Sequence, residues 1–352
     1  PLGIDVRLLA EGPDVSAAQV IPDTIVGDYR ELDVLRRFAD GCDAITFDHE
    51  HVPTKYLEEL GEFAAVRPGP LALVYAQDKA DMREYLGDFG VPCPAFAVCD
   101  DAAQAIAFGE AQGWPIILKT SRGGYDGKGV WKVDGPDEIL EIFANKPTVS
   151  AGERVRIVAE EFIDFARELS ALVVRAPSGQ VVAYPISQTT QEDGICVETV
   201  TPAPGLDEER AAELQVMAID IAAELGVVGV LAVELMEARD GRIVVNELAM
   251  RPHNTGHWTI DGAVTSQFEN HIRAVLDLPL GSPELRDDVV AMRNVLGGAE
   301  PDLTGALQHV FARDRAARVH LYGKTVVPGR KVGHVTCLGS DVDDVLRRAR
   351  HA

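Results

Sequence analysis

The sequence is poor in positive charge. Its 352 residues include 33 lysines and arginines against 56 aspartates and glutamates, for a formal net charge of −23 at pH 7. General binding to nucleic acid or to an anionic membrane needs a basic face, so this balance argues against both. It is compatible with a small anionic ligand, because a local cluster of cations is enough to hold one.

Cysteine pairs and long apolar runs are also missing. No C-x-x-C pair and no metal-binding spacing joins the five cysteines, which are Cys42, Cys93, Cys99, Cys196 and Cys337. Such a pattern predicts that most of them are buried thiols in a reducing compartment. No apolar run approaches the ~20 residues that span a bilayer, and no signal peptide is visible, so we expect a cytoplasmic protein. A strand-like pattern is already under way just after Pro1, which leads us to expect a missing upstream segment.

Strand-like and helix-like segments alternate over residues 1–94, which is typical of a doubly wound parallel α/β domain. The segment Val91-Pro-Cys-Pro94 interrupts this pattern and predicts a domain boundary. Residues 95–165 predict a second domain, built around a glycine-rich loop. Residues 166–352 predict a C-terminal α+β domain with many strand patterns. The expected fold class is therefore mixed α/β.

The most informative segment runs from Ile116 to Trp131. An apolar run ends at Lys119, four glycines follow within ten residues, and a second apolar run begins at Val130. Glycine lets backbone N–H groups surround an anion, and Lys119 and Lys128 add positive charge for phosphate. The four glycines are Gly123, Gly124, Gly127 and Gly129.

The spacing of this loop does not fit the two common nucleotide motifs. A P-loop needs Gly-Lys-Ser/Thr, and here Gly127-Lys128 is followed by Gly129. A dinucleotide fingerprint needs a helix after the loop, whereas residues 130–133 are strand-like. We therefore predict a β-hairpin flap over the phosphates of a nucleoside triphosphate, rather than a helix N-terminus beneath them. An ordinary flexible hairpin is the alternative.

A second feature brings two carboxylates together. Two apolar strand patterns flank Asp240-Gly241, the strongest short signal of a β-hairpin. If that pair forms a two-residue turn, Glu234 lies directly opposite Glu247. Like charges in that position repel unless a cation lies between them, and Mg²⁺ favours carboxylates together with substrate phosphates. The sequence therefore predicts a metal site, with a solvent-facing pair that splays apart as the alternative.

Polar residues follow the second strand of this hairpin. Arg251 lies four residues past Glu247, at the same strand end. A guanidinium there could bind a small planar anion through two hydrogen bonds. His253 and His257 come next, and their closeness to the predicted metal site favours a functional role over a structural one.

These segments carry a resemblance to a known family. The chain resembles the ATP-grasp superfamily and, within it, the N5-carboxyaminoimidazole ribonucleotide synthetase family of purine biosynthesis. The matching segments are Gly123–Gly129, Asn246–Ala249, Arg251–Thr259, Thr265–Glu269, Tyr322–Lys324 and Arg330–His334. They span almost the whole chain. The Arg-Pro-His-Asn-Thr-Gly-His-Trp run is specific to this family, whereas the glycine flap alone indicates only the superfamily.

The resemblance implies an ATP-grasp fold with ATP bound between the flap domain and the C-terminal domain. It implies an ATP-dependent C–N bond-forming ligase, which carboxylates the exocyclic amine of 5-aminoimidazole ribonucleotide with bicarbonate by way of carboxyphosphate. The implied cofactors are ATP and Mg²⁺, with Mn²⁺ as a possible substitute. The implied assembly is a homodimer. The implied binding partners are small-molecule substrates.

The resemblance also implies site residues, one position at a time. Lys119 would contact the nucleotide phosphates, and Glu168 would hold the ribose hydroxyls. Lys79 falls where the family usually has an arginine near ATP. The adenine would meet backbone groups of Glu160, Glu161, Phe162 and Ile163. Other nucleotide-binding residues would be Gly123, Gly124, Gly127, Gly129, Gln191, Asn246 and Glu247. The Mg²⁺ ligands would be Glu234 and Glu247. The residues around the ribonucleotide and the new carboxylate would be Tyr125, Asp126, Lys128 and Lys324. The other candidate catalytic residues are Arg251, which would orient bicarbonate, and His253 and His257.

The chain departs from the family pattern in several places. It lacks the opening strand and the Gly-Gly-Gly-Gln-Leu-Gly loop, which helps to bind the ribonucleotide phosphate, so that part of the site is not assigned. Near Gln188 and Gln191 the family often has a histidine. Two other functions stay open: a different ATP-grasp ligase, such as a formate-dependent purine transformylase or a biotin carboxylase-like enzyme, and a non-catalytic nucleotide-binding module.

Overall fold

The computed structural model of the chain describes residues 2–124, 128–145, 149–150 and 153–352. Its strands, numbered in chain order, are β1 (Arg7–Ala10), β2 (Asp23–Val26), β3 (Ala44–Ile45), β4 (Ala65–Val66), β5 (Phe96–Cys99), β6 (Ile116–Thr120), β7 (Val130–Val133), β8 (Val149–Ser150), β9 (Glu153–Arg154), β10 (Ile157–Glu161), β11 (Phe165–Arg175), β12 (Val181–Ala183), β13 (Ser187–Glu192), β14 (Ile195–Thr201), β15 (Gly229–Ala238), β16 (Ile243–Ala249), β17 (Val289–Leu296), β18 (Arg318–Leu321) and β19 (Lys331–Gly339). Its α-helices are α1 (Leu32–Ala39), α2 (Thr54–Leu60), α3 (Pro70–Gln77), α4 (Lys79–Asp88), α5 (Ala102–Gln112), α6 (Pro136–Asn145), α7 (Glu208–Glu224), α8 (Thr259–Gly262), α9 (Gln267–Val275), α10 (Thr304–Arg313) and α11 (Val342–His351). The predicted mixed α/β class is confirmed. None of the helices in the described ranges is long and apolar enough to traverse a membrane.

The N-terminal region forms parallel strand pairs, as its alternating pattern predicts. β1 pairs with β2, beginning with Arg7 opposite Asp23, and β3 pairs with β4 in the same sense. Helix α1 packs through Val34, Leu35 and Ala39, which recur at helical spacing and are buried. The region therefore has the α/β organisation expected of residues 1–94.

A four-stranded antiparallel sheet, in the order β5-β10-β6-β7, leads into the glycine-rich loop. Leu118 and Ala159 lie on the face that packs against the core formed with α5 and α6. Lys119 points to the opposite face, where it lies opposite Val158 of β10. Side chains alternate along a strand, so Glu160 falls on the same face as Lys119. The register alone thus brings a lysine and a glutamate together beside the loop.

A larger sheet runs in the order β16-β15-β11-β13-β14-β17-β19-β18, with β12 paired to β11. Its central strands are apolar on both faces because both are covered. Leu231 and Val233 of β15 pack in the core that includes residues of α7. Val230 and Ala232 pack on the other side against Trp258. Alternation places the next residue of that second face, Glu234, at the edge of the Trp258 side.

The hairpin of β15 and β16 confirms one prediction and corrects another. Glu234 lies directly opposite Glu247, as predicted. The predicted two-residue turn at Asp240-Gly241 is wrong. A three-residue loop replaces it, closed by the Ala238 N–H, which donates to the Arg242 carbonyl at 2.8 Å. The glycine of the pair takes a φ of 87°, the left-handed conformation that such loops require.

A β-bulge restores the predicted register. On the turn side Leu235 pairs with Val245, whereas one step further Glu234 pairs with Glu247. Asn246 is therefore an extra residue of β16. A bulge of this kind re-aims the side chains on either side of it. Here it lets Asn246 and Glu247, although adjacent in sequence, both contribute to the same site.

Helices α3 and α4 were not predicted from the sequence. Their start signals are present: Pro70 occupies the first turn of α3, and the Asp78 side chain caps the first turn of α4. Neither helix shows a clear apolar stripe, so periodicity did not reveal them. The omission matters because α4 carries Lys79 and Arg83 into the site.

Candidate active site

Three carboxylates share one face of the larger sheet. Glu234 lies opposite Glu247 on one side and opposite Ser170 of β11 on the other. Glu168 lies two residues before Ser170, on the same face. Burial, followed by the charge of Glu247 and then that of Glu168, raises the pKa of Glu234 to about 7. Burial thus disfavours the charged form of Glu234 most, and the two neighbouring carboxylates add to this effect.

Two nitrogen groups lie against the acid pair. Lys79 Nζ is 2.8 Å from Glu247 Oε1, and His253 Nε2 is 3.3 Å from Glu234 Oε1. Burial by itself would raise the pKa of Glu247, but Lys79 and, more weakly, Lys119 hold it below its ordinary value. The pKa values of the two facing acids are therefore shifted in opposite directions, upward for Glu234 and downward for Glu247, and the two groups titrate as a pair.

Lys119 is held by two acceptors. Its Nζ lies 2.7 Å from Glu160 Oε2 and 3.0 Å from Asn246 Oδ1. Arg83 supports both: its Nε donates to Glu160 Oε1 at 2.7 Å, and its Nη2 donates to the Asn246 carbonyl at 2.7 Å. Burial raises the pKa of Glu160, but Lys119 and Arg83 outweigh it and bring that pKa to about 2. A buried, ionised cluster thus fixes the ammonium group of Lys119 beside Asn246.

Sequence reasoning missed Arg83 and the side-chain role of Glu160. It assigned Glu160 to a backbone contact with adenine, whereas the structure shows its side chain in the ion cluster. Its backbone lies in β10, which pairs with strands on both sides. Phe162 and Ile163 follow the end of that strand, and the Phe162 ring lies under Lys132 Nζ, 4.8 Å from the ring centre. Glu161 Oε1 accepts from Arg242 Nη2 at 3.1 Å.

The described part of the glycine loop folds back on Thr120. The Thr120 N–H donates to the Gly129 carbonyl at 2.8 Å. A Cβ at Gly129 would lie 2.5 Å from Thr120 Oγ1, and a Cβ at Gly124 would lie 2.6 Å from the Lys128 carbonyl oxygen. Glycine is required at both positions because the two arms of the loop pass so closely. Gly123, with a φ of 78°, is exposed.

The predicted residues Tyr125, Asp126 and Gly127 lie outside the described residues, so their assignments stay predictions. Lys128 is exposed at the return of the loop. Lys324 lies beside Tyr322, with its Nζ 5.2 Å from the ring centre, and desolvation lowers the pKa of Lys324. Gln191 is half-buried on β13, opposite Cys196.

Arg251 lies at the end of β16 and is oriented by an acid that sequence reasoning missed. Its Nε donates to Glu50 Oε2 at 2.8 Å, and the Met250 N–H donates to Glu50 Oε1 at 3.2 Å. Glu50 therefore binds the arginine and the strand that carries it. The two residues are 201 positions apart, so no local pattern relates them.

Two neutral histidines follow Arg251. Burial lowers the pKa of both His253 and His257 to about 3, and the positive charge of Lys331 contributes to each shift. Lys331 was not predicted as a site residue. Gln267 joins the histidines: its Nε2 donates to the His253 carbonyl at 2.7 Å and lies 3.2 Å from His257 Nδ1. The imidazoles are uncharged at neutral pH and held in fixed orientations.

The donor set of the acid pair suits a hard divalent cation. Within the described ranges, no three His, Cys, Asp or Glu side chains form a ready metal cluster. Mg²⁺ does not need one, since it binds through one or two carboxylates together with substrate phosphates and water. Glu234 and Glu247 provide two facing carboxylates, and Lys79 and Lys119 lie beside them. The site could therefore hold a metal–nucleotide complex rather than a metal alone.

Two antiparallel sheets with a glycine loop, a buried lysine and facing glutamates between them define an ATP-grasp enzyme, an ATP-dependent ligase. Three family models match: a ribonucleotide synthetase preATP-grasp domain at residues 1–77, an ATP-grasp domain at residues 84–268, and a phosphoribosylaminoimidazole carboxylase C-terminal domain at residues 290–348. The chain belongs to the N5-carboxyaminoimidazole ribonucleotide synthase family.

The relatives that support this assignment match over most of their length. The N5-carboxyaminoimidazole ribonucleotide synthase of Mycobacterium tuberculosis is 50% identical over 359 residues, covering 100% of this chain and 82% of the relative. A crystal structure of the Thermus thermophilus synthetase matches with a TM-score of 0.89 and 35% identity, covering 100% of this chain and 92% of that chain. The Aspergillus clavatus enzyme in complex with ADP and 5-aminoimidazole ribonucleotide matches with a TM-score of 0.88 and 30% identity, covering 99% and 91%.

Proposed function

We propose that this chain carboxylates the exocyclic amine of 5-aminoimidazole ribonucleotide in de novo purine biosynthesis, using ATP and bicarbonate. The products are N5-carboxyaminoimidazole ribonucleotide, ADP and phosphate. The observation that carries the proposal is that the side chains of Lys79 and Lys119 converge on the facing pair of Glu234 and Glu247, where the charge of Arg251 also acts. The relative from Aspergillus clavatus, whose structure contains ADP and 5-aminoimidazole ribonucleotide, supports the choice of substrates.

The nucleotide would lie between the two antiparallel sheets. Lys119 and Lys79 provide positive charge for the phosphates, and their present acceptors, Glu160 and Glu247, keep both groups in place. Backbone groups of Phe162 and Ile163 lie beyond the end of β10, where an adenine could meet them. Positive groups placed in advance stabilise a transferring phosphoryl group without further rearrangement.

Glu234 and Glu247 would hold Mg²⁺, or Mn²⁺ in its place, together with the phosphates of ATP. When bound, the ion offsets negative charge on the phosphoryl group that is transferred. The chain positions the groups around the ion: the bulge at Asn246 aims Glu247 into the site, and Lys79 Nζ lies 2.8 Å from that carboxylate.

The reaction would proceed in two steps. A bicarbonate oxygen attacks the γ-phosphorus of ATP, the bond to the β-phosphate oxygen breaks, and carboxyphosphate and ADP form. The exocyclic nitrogen then attacks the carbonyl carbon, phosphate leaves, and the nitrogen gives up one proton. Arg251 would orient bicarbonate through paired hydrogen bonds, with neutral His253 beside it. No side-chain nucleophile is required.

The direct test of this function measures ADP formation with each substrate omitted in turn. We expect ADP release to require both 5-aminoimidazole ribonucleotide and bicarbonate, with one carboxylated product per ADP. Release that depends on formate instead of bicarbonate would identify a transformylase. Nucleotide binding without ADP release under any of these conditions would identify a non-catalytic module.

Arg251→Lys is expected to weaken the use of bicarbonate more than the use of ATP. Lysine keeps the charge but loses the planar fork that binds a small anion through two bonds. We expect about a tenfold rise in the KM for bicarbonate, with the KM for ATP changed less than about twofold. Steady-state kinetics with each substrate varied provide the measurement.

A matched control is Arg273→Lys on α9, where the arginine pairs with Glu269 away from the acid pair. Both KM values should stay as in the unmodified protein. If Arg251→Lys raised the KM for ATP and left bicarbonate dependence unchanged, Arg251 would belong to the nucleotide site instead.

Mg²⁺ is expected to stabilise the protein more at pH 8 than at pH 5.5. The pKa of Glu234 is raised to about 7 in the folded state, above its value in the unfolded chain. Between those values the folded state holds the extra proton, so this group's contribution to stability falls as pH rises and is smallest above about pH 7. A cation that binds the ionised pair relieves that cost and competes with the proton.

Thermal unfolding with and without Mg²⁺ at the two pH values provides the measurement. We expect the shift in Tm caused by Mg²⁺ to be larger at pH 8 by about 3 °C or more. Glu234→Gln should remove most of this difference, since an amide does not titrate. An equal Mg²⁺ shift at both pH values in the unmodified protein would speak against metal binding at Glu234.

A further inference from the structure

Asp78 receives more hydrogen bonds than a helix cap needs. Its side chain is buried, at 2% exposure for the whole residue, at the start of α4. Oδ1 accepts from the N–H groups of Ala80 at 2.9 Å and Asp81 at 3.3 Å, which caps the helix. Oδ2 accepts from Arg122 Nε at 2.7 Å, and Oδ1 also accepts from Arg156 Nη2 at 3.1 Å. The second oxygen is thus directed away from the helix, to an arginine beside the glycine loop.

Other helices of this protein show what capping alone requires. Asp101 caps α5 and Asp207 caps α7, each by accepting from one backbone N–H three residues further on. Both are exposed, as is usual for a cap. Burial would raise the pKa of Asp78, but Arg122 and Arg156 hold it below its ordinary value, so the carboxylate is ionised at neutral pH. Removing a carboxylate and two guanidinium groups from water costs free energy that their mutual attraction offsets only in part. Helix capping alone does not account for such an arrangement.

Three chain segments meet at this carboxylate. The N–H of the next residue, Lys79, donates to the Ser121 carbonyl at 2.8 Å. The Ser121 N–H donates to the Arg156 carbonyl at 2.8 Å, and the Arg156 N–H donates to Ser121 Oγ at 3.1 Å. Arg122 adds its bond to Asp78 from the same segment as Ser121. The start of α4, the end of β6 and the approach to β10 are therefore joined in one network.

Each of these segments carries one charged group of the nucleotide site. Lys79 begins α4, Lys119 lies two residues before the Ser121 junction, and Glu160 lies four residues after Arg156. A shift of the junction would move the ammonium of Lys79 relative to that of Lys119. Misplacement by about 1 Å, even from a change away from the reacting atoms, can reduce a rate by about 10²-fold.

We propose that Asp78 is a positioning residue, whose second oxygen holds the loop base at Arg122 and thereby sets Lys79 and Lys119 for the phosphates of ATP. The proposal rests on the proposed function. If the two cations are misplaced, we expect more of the carboxyphosphate to react with water and less of it to react with the amine. Its hydrolysis returns bicarbonate and phosphate, so ATP is consumed without carboxylated product.

Asp78→Asn separates the two roles. Asparagine caps a helix as well as aspartate does, because its Oδ1 still accepts from the backbone. Its amide nitrogen, however, would face the donor Nε of Arg122 and could not accept from it. We expect about a tenfold rise in the KM for ATP and a rise in the ratio of ADP to carboxylated product from about 1 to 2 or more. Arg122→Gln removes the same bond from the other side and should give the same ratio.

The control is Asp207→Asn, the same change at the exposed cap of α7, which should leave both quantities unaltered. Asp78→Asn and Arg122→Gln combined should be no worse than either alone, because they break one interaction. The proposal is overturned if both single variants keep the normal KM and ratio, even with a lower Tm, since Asp78 would then only stabilise the fold. An unmodified protein that forms no carboxylated product would instead contradict the proposed function.

Discussion

Glu247→Gln is expected to reduce turnover by about 10³-fold while the protein stays folded. Glutamine has the shape of glutamate, but it removes the ionised member of the facing pair. The proposed cation then loses a charged ligand, and Lys79 loses the carboxylate that lies 2.8 Å from its Nζ. The measurement is ADP formation at saturating substrates and Mg²⁺, with thermal unfolding to show that the fold persists.

Asp240→Asn is the matched control for this change. It replaces another carboxylate of the same hairpin, at the turn, where the side chain is 55% exposed. Turnover should be unaffected. Near-normal turnover of Glu247→Gln at saturating Mg²⁺ would remove Glu247 from the catalytic account, and with it the facing pair as the centre of the site.

Lys119→Met is expected to lower kcat/KM for ATP by about 10²- to 10³-fold. The ammonium is buried and lies between Glu160 Oε2 and Asn246 Oδ1. Methionine has a similar length and leaves Glu160 paired with Arg83, so the buried acid keeps one cation. The positive charge that would face the ATP phosphates is lost, whereas the KM for bicarbonate should change little.

Lys55→Met is the control for Lys119→Met, because Lys55 lies on α2 against the Tyr56 ring, 4.7 Å from its centre. Its kinetics should match those of the unmodified protein. If Lys119→Met lowered the Tm but left kcat/KM for ATP unchanged, the lysine would serve the ion cluster alone and the phosphates would need another cation.

The contact between Glu234 and Glu247 could be predicted from sequence, although for a partly wrong reason. A two-residue turn at Asp240-Gly241 would produce that pairing, and the protein reaches it by another route. A three-residue loop shifts the register by one, and the extra residue Asn246 shifts it back. Local turn signals identify a hairpin reliably but do not reveal compensating irregularities, because a bulge depends on what each side chain meets across the site.

Long-range ion pairs were beyond sequence reasoning. Arg83 and Glu160 are 77 residues apart, and Arg251 and Glu50 are 201 apart. Each arginine alone is compatible with a surface position, and its acidic partner becomes evident only when the fold brings distant segments together. Sequence resemblance could name Lys119 and Glu247 because they lie in recognisable segments. The residues that hold them in place lie in segments without such patterns.

Some predictions remain predictions. The domain boundaries at residues 94 and 165, the homodimer, and the roles of Tyr125 and Asp126 belong to this group. The structure gives a physical basis for choosing which of the site residues to replace. Residues in the ionised cluster around Glu160 and at the acid pair have fixed neighbours. Variants of these residues should distinguish effects on the use of ATP from effects on the use of bicarbonate.

ATP is expected to phosphorylate bicarbonate at the acid pair before the amine is carboxylated. Bicarbonate labelled with ¹⁸O tests it most directly, because the bicarbonate oxygen that attacks the γ-phosphorus leaves with the phosphate. The phosphate released in a turnover with 5-aminoimidazole ribonucleotide is expected to carry one ¹⁸O, which its ³¹P NMR signal would report. Carboxylated product formed together with unlabelled phosphate would show that bicarbonate is not phosphorylated by ATP.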